Sequence, residues 1–218
     1  MRRIAVLTAA GLVLLVLIVA QLLLPGIAAQ ELRDDLGRSG TVLEVKVTAF
    51  PAIKLLWHKA DSVVVRMGRY RSRSSHLGET LGQAADADSL DASAQELDVG
   101  PLTLRNATLR KRGSELSGSA TVTESDLRSA VFFLDNVEPI ASANGRLTLR
   151  GTASFLGLHA TVDATVAAKD GALVVAPNVP LGGIAALTLF DNPHVEVQSV
   201  SATNVPGGFR VFAEGTVH

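Results

Sequence analysis

The sequence predicts an α+β domain behind an N-terminal membrane-directed helix, with one strongly curved antiparallel sheet wrapped around a single amphipathic helix. Three observations carry this expectation. Residues 4–30 contain no charge and follow Arg2 and Arg3. Most of the later chain alternates apolar and polar side chains, with hairpin dipeptides at Asn144-Gly145 and Asp170-Gly171. After Thr123 the spacing turns helical, with Leu127, Ala130, Val131 and Leu134 at i, i+3, i+4 and i+7.

The expected organisation is an anchor or signal segment over residues 1–29 and one domain over 30–218. Residues 4–24 match the length that crosses a bilayer as a helix, about 20 residues, and Arg2-Arg3 would stay on the cytoplasmic side. The cytoplasmic membrane is then a partner, and the domain is single-pass and extracytoplasmic. The competing reading is a signal peptide cut near Ala28, which gives a secreted or periplasmic domain. Both expect a helix break at Pro25-Gly26.

Composition narrows the function. Without Arg2 and Arg3, 18 basic side chains face 21 acidic ones, a mild charge that does not suit nucleic acid. The chain has no cysteine, so disulfides, thiolate metal sites and cysteine nucleophiles are excluded. Aromatic residues make up only 4%, so Leu, Val and Ala must fill the core.

Residues 30–38 read as a short helix with Leu32 and Leu36 on one face. Residues 41–48 alternate as a strand. Phe50-Pro51 ends it, and residues 52–60 form a short helix with Ile53, Leu56 and Trp57 on one side. Residues 61–67 are the next strand. Arg66, Arg69, Arg71 and Arg73 follow, answered by acidic residues up to Asp98. Residues 72–93 lack periodicity and read as a long loop. From Leu97 the chain is strand-like, with a slip near Asn106 that suggests a bulge. Leu116, Gly118, Ala120 and Val122 then form a row of small inward residues. Thr123, with Asp126 three residues on, starts the amphipathic helix. The longest strand places Leu158, Ala160, Val162, Ala164 and Val166 on one face and His159, Thr161 and Asp163 on the other. Two final strands turn at Pro206-Gly207-Gly208.

No signature of catalysis is present. The five histidines have no metal-ligand spacing, and there is no nucleophile elbow or P-loop. No carboxylate pair sits on rigid elements. The expectation is a non-enzyme with no cofactor and no metal.

Several motifs in order point further. Ala49-Phe50-Pro51-Ala52-Ile53, Leu55-Leu56 and Ala60-Asp61-Ser62-Val63-Val64-Val65 match a pattern G-F-P-F-L-x-x-L-L-x-G-x-Y-D-x-V-x-V, with Lys59 and Ala60 as departures. Residues 118–127 match G-x-x-x-V-x-x-x-D-L, and residues 145–157 match G-x-L-x-L-x-G-x-x-x-x-L-G. In these features the chain resembles the LmeA-type phospholipid-binding proteins of actinobacteria, the DUF2993 family. The resemblance implies half of a tubular lipid-binding module, with phospholipid or another envelope lipid as partner and a role in envelope lipid or lipoglycan maintenance.

From strand and helix phase, Leu127, Val131, Leu134, Phe155, Val162 and Val166 are candidates to line an apolar groove. Phe132 and Trp57 are placed nearer its mouth. Arg66, Arg69, Arg71 and Arg73 are candidate head-group contacts. The alternative is a non-enzymatic envelope scaffold or protein-interaction domain with a filled core.

Overall fold

The computed structural model describes residues 21, 23–72, 86–99, 102–130, 136–155, 158–178 and 186–218. For residues 72, 130, 136, 153–155 and 158–160 it describes the backbone alone.

Helix α1 covers residues 23–37, and residue 21 is also helical. Strand β1 (Gly40–Thr48) is followed by a 3-10 helix (Ala52–Trp57) and β2 (Ala60–Ser72). Next come β3 (Ala87–Val99), β4 (Leu102–Arg112) and β5 (Glu115–Val122). Helix α2 (Glu124–Ala130) leads to β6 (Asn136–Ala143), β7 (Arg146–Phe155), β8 (Leu158–Lys169) and β9 (Ala172–Pro177). Strands β10 (Leu187–Phe190), β11 (Val195–Val205) and β12 (Gly208–Val217) complete the chain.

These strands make two open sheets, not one curled sheet. The larger runs β1-β2-β3-β4-β5-β12-β11 and the smaller β10-β9-β8-β7-β6. The expected tube around a helix is therefore corrected. Neither sheet closes on itself, and the described part of the amphipathic helix is only the seven residues of α2. That helix touches β4 and β6, where the chain passes from one sheet to the other. Alternation reports which face a side chain takes, but not which sheet its strand joins, so the division left no mark in the periodicity.

All strand pairs are antiparallel except β2 and β3, which run parallel with Ala60 opposite Ala87 and Ser72 opposite Val99. A parallel pair needs a return connection of a dozen residues or more, and residues 73–86 supply it. The loop expected over 72–93 is thus too long, because β3 already begins at Ala87. Residues 73–85 lie outside the described residues.

The turn chemistry follows the sequence. Asn144-Gly145 and Asp170-Gly171 all have positive φ, between 52° and 81°, as two-residue hairpin turns of the mirror-image type require. Asn106 has φ 49° at the register shift between β4 and β5, where a bulge was expected. The Thr123 hydroxyl accepts the Asp126 backbone N–H at 3.2 Å and donates to the Asp126 carboxylate at 2.6 Å, starting α2. Pro139 sits in β6, an outer strand of the smaller sheet, where its missing N–H is tolerated.

The N-terminal expectations change most. Among the described residues no helix is long and apolar enough to cross a membrane. The expected crossing over residues 4–24, the membrane partnership through it and the single-pass placement are corrected on that finding. Residues 4–20 and 22 lie outside the described residues. The signal-peptide reading, with its secreted product, is corrected by α1 itself. The helix runs through Pro25-Gly26 without the expected break. Ala28, Ala29 and Leu32 pack on Val47, Ala60 and Ala87 of the sheet, and Leu36 is buried with Val65, Met67 and Tyr70. A cut near Ala28 would fall inside a packed helix.

The smaller sheet docks on β11. Val137, Leu147, Leu149, Ala164, Val166 and Val175 bury against Val200 of that strand. Its hairpin turns also satisfy the outer edge of β11. The Val197 N–H donates to Gly171 O at 2.8 Å, and the Val200 N–H to Gly145 O at 3.1 Å. The Ala202 N–H donates to the Ser142 hydroxyl at 3.3 Å. Glycine is needed at both turns, because a Cβ on Gly171 would lie 3.3 Å from Glu196 and one on Gly145 3.1 Å from Ser199.

Candidate functional site

The two faces of the larger sheet differ in chemistry. On the inner face a single row crosses all seven strands: Val45, Val65, Ala92, Leu109, Gly118, Ala213 and Val200, each paired with the next. The first three lie under α1, and Val200 lies under the smaller sheet. Leu109, Gly118 and Ala213 lie between these covers. All three are half-buried and belong to none of the described buried clusters.

Dimensions explain the gap. Seven strands about 4.8 Å apart span roughly 29 Å, while a helix with its side chains is about 10 Å wide. One helix therefore covers two or three strands and leaves the middle to other cover. In the row itself the middle strands carry Leu109, Gly118 and Ala213. Gly118 has only Thr108 O at 3.5 Å and Leu109 Cδ1 at 3.6 Å within ordinary contact of an added Cβ. Leu104, Leu116, Phe209 and Val211 share this face and are half-buried too, while Ala107, Ala120 and Val122 on it are buried.

One end of this face holds Lys111, which is 4% exposed. Its ammonium donates to Ala87 O. Burial pushes its pKa down, while the nearby Asp88 and Asp86 carboxylates pull it up.

The outer face is polar and internally paired. Arg66 meets Glu44 at 3.5 Å, Arg69 meets Glu96 at 3.1 Å and Arg71 meets Asp98 at 3.6 Å. The parallel register of β2 and β3 places Arg69 beside Glu96 and Arg71 beside Asp98. The three arginines thus stand on the face opposite the apolar row. Arg73 lies outside the described residues.

Among the candidate lining residues, Val166 is 4% exposed inside the cluster between the sheets, and Leu127 and Val162 pack against that cluster. The fold therefore brings these three together, at the wall beside β11. Val131, Phe132 and Leu134 lie outside the described residues, as does the Phe155 side chain. Trp57 is elsewhere, on the tip formed by Phe50 and the 3-10 helix, and is 64% exposed.

Two polar side chains hold that tip: Gln21, which carried no sequence signal, and Asp61, the aspartate of the Y-D-x-V-x-V pattern. The Gln21 amide donates to Ala49 O at 3.0 Å and accepts the Ala52 N–H at 2.7 Å. The Asp61 carboxylate accepts the Phe50 N–H at 2.5 Å and the Lys54 ammonium at 3.0 Å. The Lys54 hydrogen bond, then that from Phe50, lowers the Asp61 pKa below the usual carboxylate value. Between them lies a cis peptide, Phe50-Pro51.

Two surface depressions are flanked by charged side chains. One, of about 410 Å³, is lined by Arg150, Thr161, Val162, Asp163 and Asn178. Its Arg150–Asp163 pair is bidentate at 2.8 and 3.1 Å, which lowers the Asp163 pKa and raises that of Arg150. The other, of about 390 Å³, lies by Ser39, Gly40, Arg69 and Arg71. Among the described residues no group of three or more His, Asp or Glu could hold a metal.

Residues 18–204 match the family model described as LmeA-like phospholipid-binding. No curated protein and no solved structure matches the chain.

Proposed function

The chain belongs to the LmeA-like phospholipid-binding family, and we propose that it holds a phospholipid or related envelope lipid on the inner face of β4, β5 and β12. As a member it is a lipid-binding module and not an enzyme. Family membership supports the ligand class. The half-buried row Leu109, Gly118 and Ala213, lying between two covered ends, supports the place.

In this reading the acyl chains lie over small side chains, with each buried methylene worth about 0.8 kcal/mol. Leu127, Val162 and Val166 back the wall on the β11 side. Val131, Phe132, Leu134 and Phe155 belong to the same proposal. With the lipid on this face, Arg66, Arg69 and Arg71 stand on the opposite face, paired with Glu44, Glu96 and Asp98. The biological role is maintenance of envelope lipid or lipoglycan.

The test is native mass spectrometry of the purified full chain, with extraction of copurified lipid. Gly118→Ala should keep lipid, since the extra carbon meets only ordinary contacts. Gly118→Leu should fill the face and reduce lipid at least tenfold with the fold retained by circular dichroism. Undiminished lipid in a folded Gly118→Leu protein would remove the placement.

A scaffold with a filled core is the second reading. It is favoured by the zero exposure of Val137, Leu149 and Val175 between the sheets. Clean apo protein that ignores phospholipid vesicles would select it.

A further inference from the structure

We propose that the Phe50–Trp57 tip and the first turns of α1 form a docking surface for a phospholipid bilayer. Nine large hydrophobic side chains are exposed among the described residues, and six of them fall in these two segments. They are Leu23, Ile27, Phe50, Ile53, Leu56 and Trp57, with Phe50 75% exposed. The segments are fastened together by the Gln21 amide, and Leu55 packs with Ala28, Ala29 and Leu32 beneath them. Exposed apolar side chains are thus held outward by restraints of the fold.

The chemistry of the tip suits a bilayer. A bilayer interface admits single side chains without complementary relief, and Trp and Phe are suited to it. Exposed Lys59 beside Trp57 suits anionic head groups. The family match supplies phospholipid as the chemistry, but the inference does not depend on where a lipid sits in the fold.

Trp57 is the only tryptophan, so the full chain reports on its own tip. Vesicles of phosphatidylcholine with one quarter phosphatidylglycerol should shift its emission to the blue and protect it from acrylamide. Phe50→Ser and Leu56→Ser, each with unchanged melting temperature, should weaken partitioning about tenfold apiece; either suffices if the other fails to fold. Three results would overturn the proposal. In one, Trp57 stays quenchable while the protein sediments with vesicles, which places attachment in residues 1–20. In another, the blue shift grows with protein concentration without lipid, which makes a second copy the occupant. The third is no shift at all. Gly118→Leu should leave docking intact, so a failure of the lipid-binding placement and a failure of this surface read out separately.

Discussion

At one end of the larger sheet β11 is covered by another sheet, and Val137, Leu149 and Val175 are wholly shielded from solvent. At the other end α1 alone covers β1 to β3, and Leu36, Val65, Met67 and Tyr70 keep 6% to 8% exposure. A sheet seals a sheet; a single helix shades it. The tip beyond α1 goes further, since two polar side chains, Gln21 and Asp61, hold it while its apolar groups face outward. Stability is therefore expected to concentrate at the β11 end and surface chemistry at the α1 end.

The sharpest way to break this contrast is truncation of a large side chain at each end. Leu149→Ala should cost toward the upper part of the usual ~2–5 kcal/mol for buried leucine, and Leu36→Ala toward the lower part. Urea denaturation of both variants measures the difference, and equal losses would erase the comparison. Gly171→Ala should come next. It forces a left-handed residue with a side chain against Glu196 at the β11 edge, for roughly 1–2 kcal/mol.

Asp61→Asn tests the tip. The folded protein holds this carboxyl below its ordinary pKa, chiefly through Lys54. Its stabilisation is then present above the unfolded value of about 3.9 and lost as pH falls through the lower folded value. The variant should melt earlier than the wild type near neutral pH, and the two should converge as pH falls below the lowered folded value. The smallest effect belongs to the outer face. Arg69→Gln should cost less than about 1 kcal/mol, and less still in high salt, because the Glu96 pair is exposed.

Local signals were well written in the sequence. Val162, Ala164 and Val166 share the buried face that their alternation implies, and the Asn-Gly and Asp-Gly turns sit where the dipeptides stand. The Thr123 cap was legible for the same reason: its chemistry lies within three residues. Strand direction has no such signature. Ala92 and Ala94 face the core of a parallel strand, but small residues among Asp and Ser look like loop. The apolar stretch before Pro25 reads as a membrane span by length, whereas the packing of Ala28 and Leu32 depends on distant strands. Of the candidate site, the small residues of β5 were visible as a row. Their position between two covers required the partners β4 and β12, which are adjacent only in space. Gln21 acts singly from a helical position, so no motif announces it; Asp61 stands in the Y-D-x-V-x-V pattern, which gives its place but not its partners.

The saturated rim of β11 has one more consequence. With the amide groups of Val197 and Val200 taken by turns of the same molecule and that of Ala202 by the Ser142 hydroxyl, a foreign extended segment finds no template there. A seven-stranded sheet is long enough to seed fibrous stacking, and this chain blunts one of its two margins with its own hairpins.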